Sequence, residues 1–291
     1  MLHRFFHRRL LPVVCLLLVP GWATTRAGEP PLNVLFVGNS YTYVNDLPSL
    51  IEGLADAAGG RKIHTDQYVV GGYTLEQQAK DKKAIAKIRE RKWDIVVLQE
   101  NSLQPILNRE SMHKYARVLD AEIKRQGAKT VFYLTWARLN IPQMQEGAES
   151  PDYAKPIYQM TGAAGRIGFE QWCQQRKSGL AGGLNGAYYD IANELHAQVA
   201  PVGMAWKKAL AQSPKLVLHQ ADKSHPAFKG SYLAACVFYA TLLGKSPVGL
   251  PGELTKGGKV LGRVEPGEAR MLQEIAWQTV QEAKQHQDQE R

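Results

Sequence analysis

A serine hydroxyl becomes a useful nucleophile only when a neighbouring imidazole takes its proton, and a third group must hold that imidazole in the right tautomer. The chain carries these three residue types in a workable arrangement: Ser40 follows Gly38 and Asn39, and Asp222 stands three residues before His225. Within a turn, that spacing lets the carboxylate reach the imidazole Nδ1 and leaves Nε2 for a serine brought from elsewhere. Pro226 biases His225 away from helical geometry and marks it as a loop residue at a helix entrance. Acyl transfer also needs donors for the developing oxyanion, each worth about a hundred- to a thousand-fold in rate. The backbone N–H groups of Ser40 and Gly72 and the side-chain amide of Asn101 are candidates, with Gln99 as the alternative third donor. Glycine suits position 72 because it lets the backbone approach a ligand with no side chain intervening. Gln99, Trp136 and Arg138 are candidates for a substrate cleft, Arg138 to meet an acidic or sugar group and Trp136 equally readable as a wall of the core. The bland readings stand beside these. A Gly-Asn-Ser turn is common without catalysis, and Asp222 and His225 alone read as a helix-entry cap and a surface imidazole.

The elements that would position these residues alternate. Residues 32–37 form a nearly continuous apolar run ended by Gly38, the pattern of a buried strand. Leu47, Leu50, Ile51 and Leu54 then recur at helical spacing ahead of Gly59 and Gly60. The unit repeats with strands over 62–70, 94–98 and 130–135 and helices over 74–91 and 110–126. Such alternation predicts a parallel sheet with helices on both faces, and in open sheets of that kind ligands bind beyond the carboxyl ends of the strands. Ser40, Gly72 and the 99–102 segment all stand at such ends. Residues 138–156 read as a long loop of the kind that often serves as a binding lid. Beyond it the pattern predicts a helix over 157–177, a glycine-rich turn over 179–186, a helix over 189–195, a strand over 198–202, an apolar helix over 227–243 and a surface helix over 268–284 running into a polar tail.

Composition narrows the class. The first 27 residues combine Arg4, Arg8 and Arg9, an apolar stretch over 10–19 and small residues at Ala23 and Ala27, the order of a secretory signal. The expectation is a secreted or periplasmic protein with a single domain over 28–291, and no integral membrane segment once the signal is removed. No later stretch reaches the roughly 20 apolar residues of a membrane-spanning helix. The formal charge of +9 includes four arginines of that leader, and the modest excess that remains does not argue for nucleic acid. The cations over 80–92 alternate with Ala84, Ile85 and Ile88 at helical spacing and read as a solvated helix face. Cys15 leaves with the signal; Cys173 and Cys236 remain, as a bridge or as two separate thiols. No Cys/His cluster suggests a metal, and His64, His113, His196 and His219 show no ligand spacing.

The order Ser40, Gly72, Asn101, then Asp222 with His225 resembles the four signature blocks of the SGNH (GDSL-like) hydrolases, over about residues 33–243. More narrowly, residues 38–42, 97–100, His225 with Pro226, and 230–236 are similar to an uncharacterised bacterial branch of that superfamily. The resemblance implies a three-layer α/β/α fold with a parallel, flavodoxin-like sheet. It also implies ester hydrolysis without metal or cofactor, often of acyl groups on carbohydrates, so that the expected partner is a small-molecule or glycan ester. Two departures stand out: Asn39 occupies the place of the usual aspartate, and Gln99, Glu100, Asn101 and Ser102 replace the usual Gly-x-Asn-Asp, so Asn101 is aligned only by its distance from the strand. The expected activity is a carbohydrate or cell-envelope acyl esterase. The alternatives are an O-acyltransferase with the same triad and a non-catalytic carbohydrate-binding relative.

Overall fold

The computed structural model describes residues 29–289, so the expected leader lies outside the described residues. Five strands form one parallel sheet: β1 (Leu32–Gly38), β2 (Ile63–Val69), β3 (Ile95–Leu98), β4 (Lys129–Tyr133) and β5 (Gln198–Ala200). Their order is β2-β1-β3-β4-β5, the flavodoxin-like order. The central strands read as unbroken apolar runs because both of their faces are covered. In β1, Val34 and Phe36 join the core under the helices Leu47–Ala57, Val202–Gln212, Phe228–Leu243 and Pro266–Gln289. Leu35 and Val37 join the opposite core, under Leu75–Lys80, Lys82–Arg89, Arg109–Arg125 and Lys177–Glu194. The result is the expected three-layer α/β/α sandwich. The chain leaves β1 for β2 on one side and returns to β3 on the other, and this reversal opens a crevice at the carboxyl ends of β1 and β3.

The Phe228–Leu243 helix is apolar nearly all round because it is covered nearly all round, and Phe238 meets Phe36 edge to face at 5.4 Å. Burial of one such aromatic contributes about 1.5–3 kcal/mol. The helix begins three residues after His225, so its anchoring fixes where that histidine sits. Gly230 permits the fit: a Cβ there would lie 2.4 Å from Trp206 Cζ2 and 2.5 Å from the Leu218 carbonyl oxygen.

Several elements differ from the sequence pattern. The stretch read as one helix over 74–91 breaks at Asp81, which caps the second piece by accepting from Lys83 N–H at 2.9 Å. The helix expected over 157–177 is two short ones, Lys155–Met160 and Phe169–Gln174. The glycines at 179–186 lie inside the Lys177–Glu194 helix, with one left-handed residue at Gly183 (φ 57°), and not in a turn. The helix Val202–Gln212 and the antiparallel hairpin of β6 (Glu253–Lys256) and β7 (Lys259–Arg263) are additional elements that periodicity did not reveal. Cys173 and Cys236 are free thiols buried in opposite cores. On the Lys82–Arg89 helix, Lys87 is paired with Asp66 and Glu90, and Arg89 with Glu122. Among the described residues no helix is long and apolar enough to cross a membrane.

Because the obstacles at Gly230 are a backbone carbonyl and a packed indole, Gly230→Ala is expected to lower unfolding free energy by about 1–3 kcal/mol in urea titration. An unchanged urea midpoint would show that the Trp206 contact is loose.

Candidate active site

β1 delivers the chain to Gly38, after which Asn39 caps the one-turn helix Ser40–Tyr43 by accepting from Tyr41 N–H at 3.2 Å. The β1 and β3 ends approach so closely here that a Cβ on Gly38 would lie 2.6 Å from Gln99 Oε1 and 2.7 Å from Thr42 Oγ1. Asn39 and Gln99 bond in both directions. Asn39 N–H donates to Gln99 Oε1 at 2.9 Å, and Gln99 Nε2 donates to Asn39 Oδ1 at 2.9 Å. The remaining Asn39 amide group donates to the Tyr73 carbonyl at 2.8 Å, so the ends of β1, β2 and β3 are tied together around Ser40.

The imidazole arrives on a loop folded around Asp222. One carboxylate oxygen accepts the N–H groups of Ser224 and His225, both at 2.9 Å, and the other bonds His225 Nδ1. With Nδ1 held by the carboxylate, His225 Nε2 stands 2.8 Å from Ser40 Oγ. Burial pulls the Asp222 carboxyl upward, but the hydrogen bonds from His225 and from the Ser224 and His225 N–H groups outweigh it and hold the carboxyl at about 2. The group therefore stays ionised across the neutral range. The loop is braced from below: the Tyr41 hydroxyl and Ser224 Oγ share a 2.6 Å hydrogen bond, and Trp136 Nε1–H donates to the Ser224 carbonyl at 2.9 Å. The Tyr41 ring lies edge-on to His225 at 5.6 Å and stacks on Trp136 at 4.5 Å. From the Ser40 side, Asn45 donates to the Pro226 carbonyl at 3.0 Å and to Ser231 Oγ at 2.9 Å. It reaches them through a left-handed backbone, φ 58° at Asn45 and 52° at Asp46, which Asn and Asp tolerate best among non-glycine residues.

The other expected donors sit at the adjoining strand ends. Asn101 Nδ2 donates to the Gly72 carbonyl at 3.1 Å, while its Oδ1 accepts from Leu103 N–H, which fixes the orientation of the amide. Gly72 adopts φ 73°, a conformation glycine takes at no steric cost. Among the described residues nothing accepts from the N–H of Ser40 or of Gly72. Gln99 is different. It is 1 % exposed, and both of its amide hydrogens are committed, to Asn39 Oδ1 and to the Glu100 carbonyl at 2.6 Å. Gln99 is thus neither an oxyanion donor nor a cleft residue; it is the clasp between two strands. Trp136 is likewise buried, stacked between Tyr41 and Trp206, and acts chiefly as a wall. Arg138 is half-buried at the rim, 3.5 Å from Ser102 Oγ. His219, read as a core or rim residue, is 5 % exposed and bonds the Ala137 carbonyl through Nε2. Sequence reasoning missed Tyr41, Ser224 and Glu100. The only available signal for the first two was adjacency to Ser40 and His225. Among the described residues no cluster of His, Cys, Asp and Glu could hold a metal ion.

Glu100 is fully buried directly behind Asn101. One of its oxygens accepts the N–H groups of Asn101 at 2.6 Å and Leu75 at 3.1 Å. Burial pushes its carboxyl up to about 8, against the pull of those two hydrogen bonds, so it is mostly protonated at neutral pH. The unfolded chain ionises this group near the usual glutamate value of about 4.3, and wild-type stability therefore falls as pH rises from there through about 8. Glu100→Gln keeps an acceptor oxygen and removes the ionisation. Its melting temperature is expected to rise relative to wild type between pH 5 and pH 9; a difference that does not change with pH would show that the buried carboxyl does not titrate there.

No family model matches the chain, and no curated protein matches it. Solved structures do. A candidate SGNH hydrolase from Slackia heliotrinireducens is 23 % identical over 73 % of this chain and 99 % of its own, with a TM-score of 0.52. A DUF4886 family protein from Bacteroides uniformis is 16 % identical over 86 % of this chain and 95 % of its own, with a TM-score of 0.62. The sheet order, the three layers and these likenesses agree: the chain has the SGNH hydrolase fold.

Proposed function

We propose that the protein is a serine ester hydrolase, with Ser40 as nucleophile, His225 as general base and then acid, and Asp222 as the group that orients it. The observation that carries this reading is the placement of one imidazole: Nδ1 on the Asp222 carboxylate, Nε2 at 2.8 Å from Ser40 Oγ. That leaves Nε2 as the acceptor facing the hydroxyl, the tautomer that acyl transfer requires.

In the first step Ser40 Oγ attacks the ester carbonyl carbon as its proton passes to His225 Nε2. The carbonyl oxygen becomes an oxyanion, met by the N–H groups of Ser40 and Gly72 and by Asn101 Nδ2. Collapse of the tetrahedral intermediate breaks the bond to the alcohol oxygen, which takes the proton from His225 Nε2. Water, deprotonated by the same nitrogen, then releases the acid and restores Ser40. The Asn39 that replaces the usual aspartate fits this scheme, because its work is to cap the nucleophile turn and grip Gln99. The basic, apolar and small-residue pattern of the leader supports export, and with it a carbohydrate or cell-envelope ester as substrate.

Hydrolysis of short-chain p-nitrophenyl esters tests the assignment. Ser40→Ala and His225→Ala are each expected to lower kcat/KM by at least about 10³-fold at equal folded concentration, and Asp222→Asn by about 10³- to 10⁴-fold. Activity unchanged in Ser40→Ala would end the reading, and glycan binding without turnover would favour a binding protein in its place. Asn101→Ala is expected to lower kcat by about 10²- to 10³-fold with little change in KM. Retention of full kcat in that variant would remove Asn101 from the oxyanion site. Product analysis with an added sugar acceptor separates hydrolysis from acyl transfer.

A further inference from the structure

A cavity about 350 Å³ in volume is walled by Trp136, Arg138, Pro142, Trp206, Leu210 and His219 among others. Its size falls in the range of small-molecule sites, and its walls are mainly apolar. The rings of Tyr41, Trp136 and Trp206 form one stack, at 4.5 Å and 3.9 Å, that runs from the edge of His225 to the cavity. Leu139 N–H donates to the Lys223 carbonyl at 3.0 Å and joins the cavity rim to the Asp222–His225 loop.

Three walls of this cavity each carry a buried polar atom without a partner: Arg138 Nε, Trp206 Nε1 and His219 Nδ1. Since the Nε2 of His219 bonds a carbonyl oxygen and so carries the proton, its Nδ1 is a bare acceptor. Buried groups of this kind are normally satisfied, but these three atoms lie beneath the cavity surface, out of contact with solvent, so a ligand in the cavity does not reach them as the side chains stand. The charge of Arg138 in the wall carries the argument instead. Among the described residues it pairs with no carboxylate, and its guanidinium donates at 3.5 Å to the Oγ of Ser102, next in sequence to Asn101. The other cation in the wall, Lys207, is paired with Glu146.

We propose that this cavity seats an apolar, carboxylate-bearing part of the substrate, with the Arg138 guanidinium as the carboxylate's partner. The planar guanidinium fork suits a carboxylate in particular, and the stacked indoles and Leu210 suit an apolar body next to it. The link to Ser40 rests on the ester-hydrolase reading; the affinity of the cavity for such a group does not.

Tryptophan fluorescence of the Ser40→Ala protein, titrated with 4-phenylbutyrate and with its neutral analogue 4-phenylbutanamide, tests the affinity without any turnover. The acid is expected to bind at least about ten-fold more tightly, with Arg138→Gln bringing the two within about two-fold. Equal binding of acid and amide, or a preference that survives Arg138→Gln in a variant with wild-type melting temperature, overturns the proposal. In the wild type the acid is expected to inhibit p-nitrophenyl acetate hydrolysis competitively. Noncompetitive inhibition overturns the substrate role. Tight acid binding in a protein that turns over no ester overturns the hydrolase reading and leaves the cavity as a carboxylate site.

Discussion

The site depends on the reciprocal bond between Asn39 and Gln99, two buried amides that face each other across the ends of β1 and β3. A parallel sheet brings its strand ends close together but does not by itself align the loops beyond them. Nucleophilic attack needs alignment to within a few tenths of an ångström, since misplacement by about 1 Å can cost a hundred-fold in rate. The two amides meet this demand because each side-chain nitrogen and oxygen they carry has a partner, and buried amides with unmet hydrogen bonds would be costly. Gly38 makes the bond possible by letting the strands approach, and Asn39 passes the constraint on to Tyr73 and to the first turn after Ser40.

The same economy governs the imidazole. His225 is on a partly exposed loop, yet its position is set by buried groups: Tyr41 under its edge, Trp136 bonded to the Ser224 carbonyl, and an apolar helix anchored a few residues later. Asn45, in a left-handed conformation, crosses from the Ser40 side to grip Pro226. Serine and histidine, 185 residues apart in sequence, are thereby fixed by one connected set of contacts. Glu100 belongs to the set as a neutral acid. Removed from water and accepting from the backbone N–H groups of Asn101 and Leu75, it holds the loop after β3 without adding a full charge behind Asn101.

Much of this was legible in the sequence because burial writes itself into residue type. The central strands are short apolar runs, and Ser40, Asp222 and His225 are conspicuous as polar residues at a strand end and a helix entrance. The failures share one cause, that a residue's partner is invisible along the chain. Gly179 and Gly183 read as turn formers, whereas they serve close packing: a Cβ at Gly179 would lie 2.5 Å from the Ile106 carbonyl oxygen, and one at Gly183 2.4 Å from Gly147 N. Gly203, which weakens the helical signal of Val202–Gln212, is there because a Cβ would lie 2.0 Å from the Thr135 carbonyl oxygen. Gln99 has the type and the place of an oxyanion donor, and only its burial and its two committed hydrogens assign it to the scaffold.

The central claim is that this scaffold makes one serine hydroxyl, that of Ser40, chemically unlike the others in the chain. Reaction with a fluorophosphonate, followed by intact-protein and peptide mass spectrometry, addresses it most directly, because such reagents label serines by their nucleophilicity and need no knowledge of the natural ester. The account predicts a single adduct on the peptide that contains Ser40, formed in the folded protein and slowed by orders of magnitude when His225 is replaced by alanine. An adduct on a different serine, no adduct at all, or labelling of Ser40 at the same rate without His225 would contradict it.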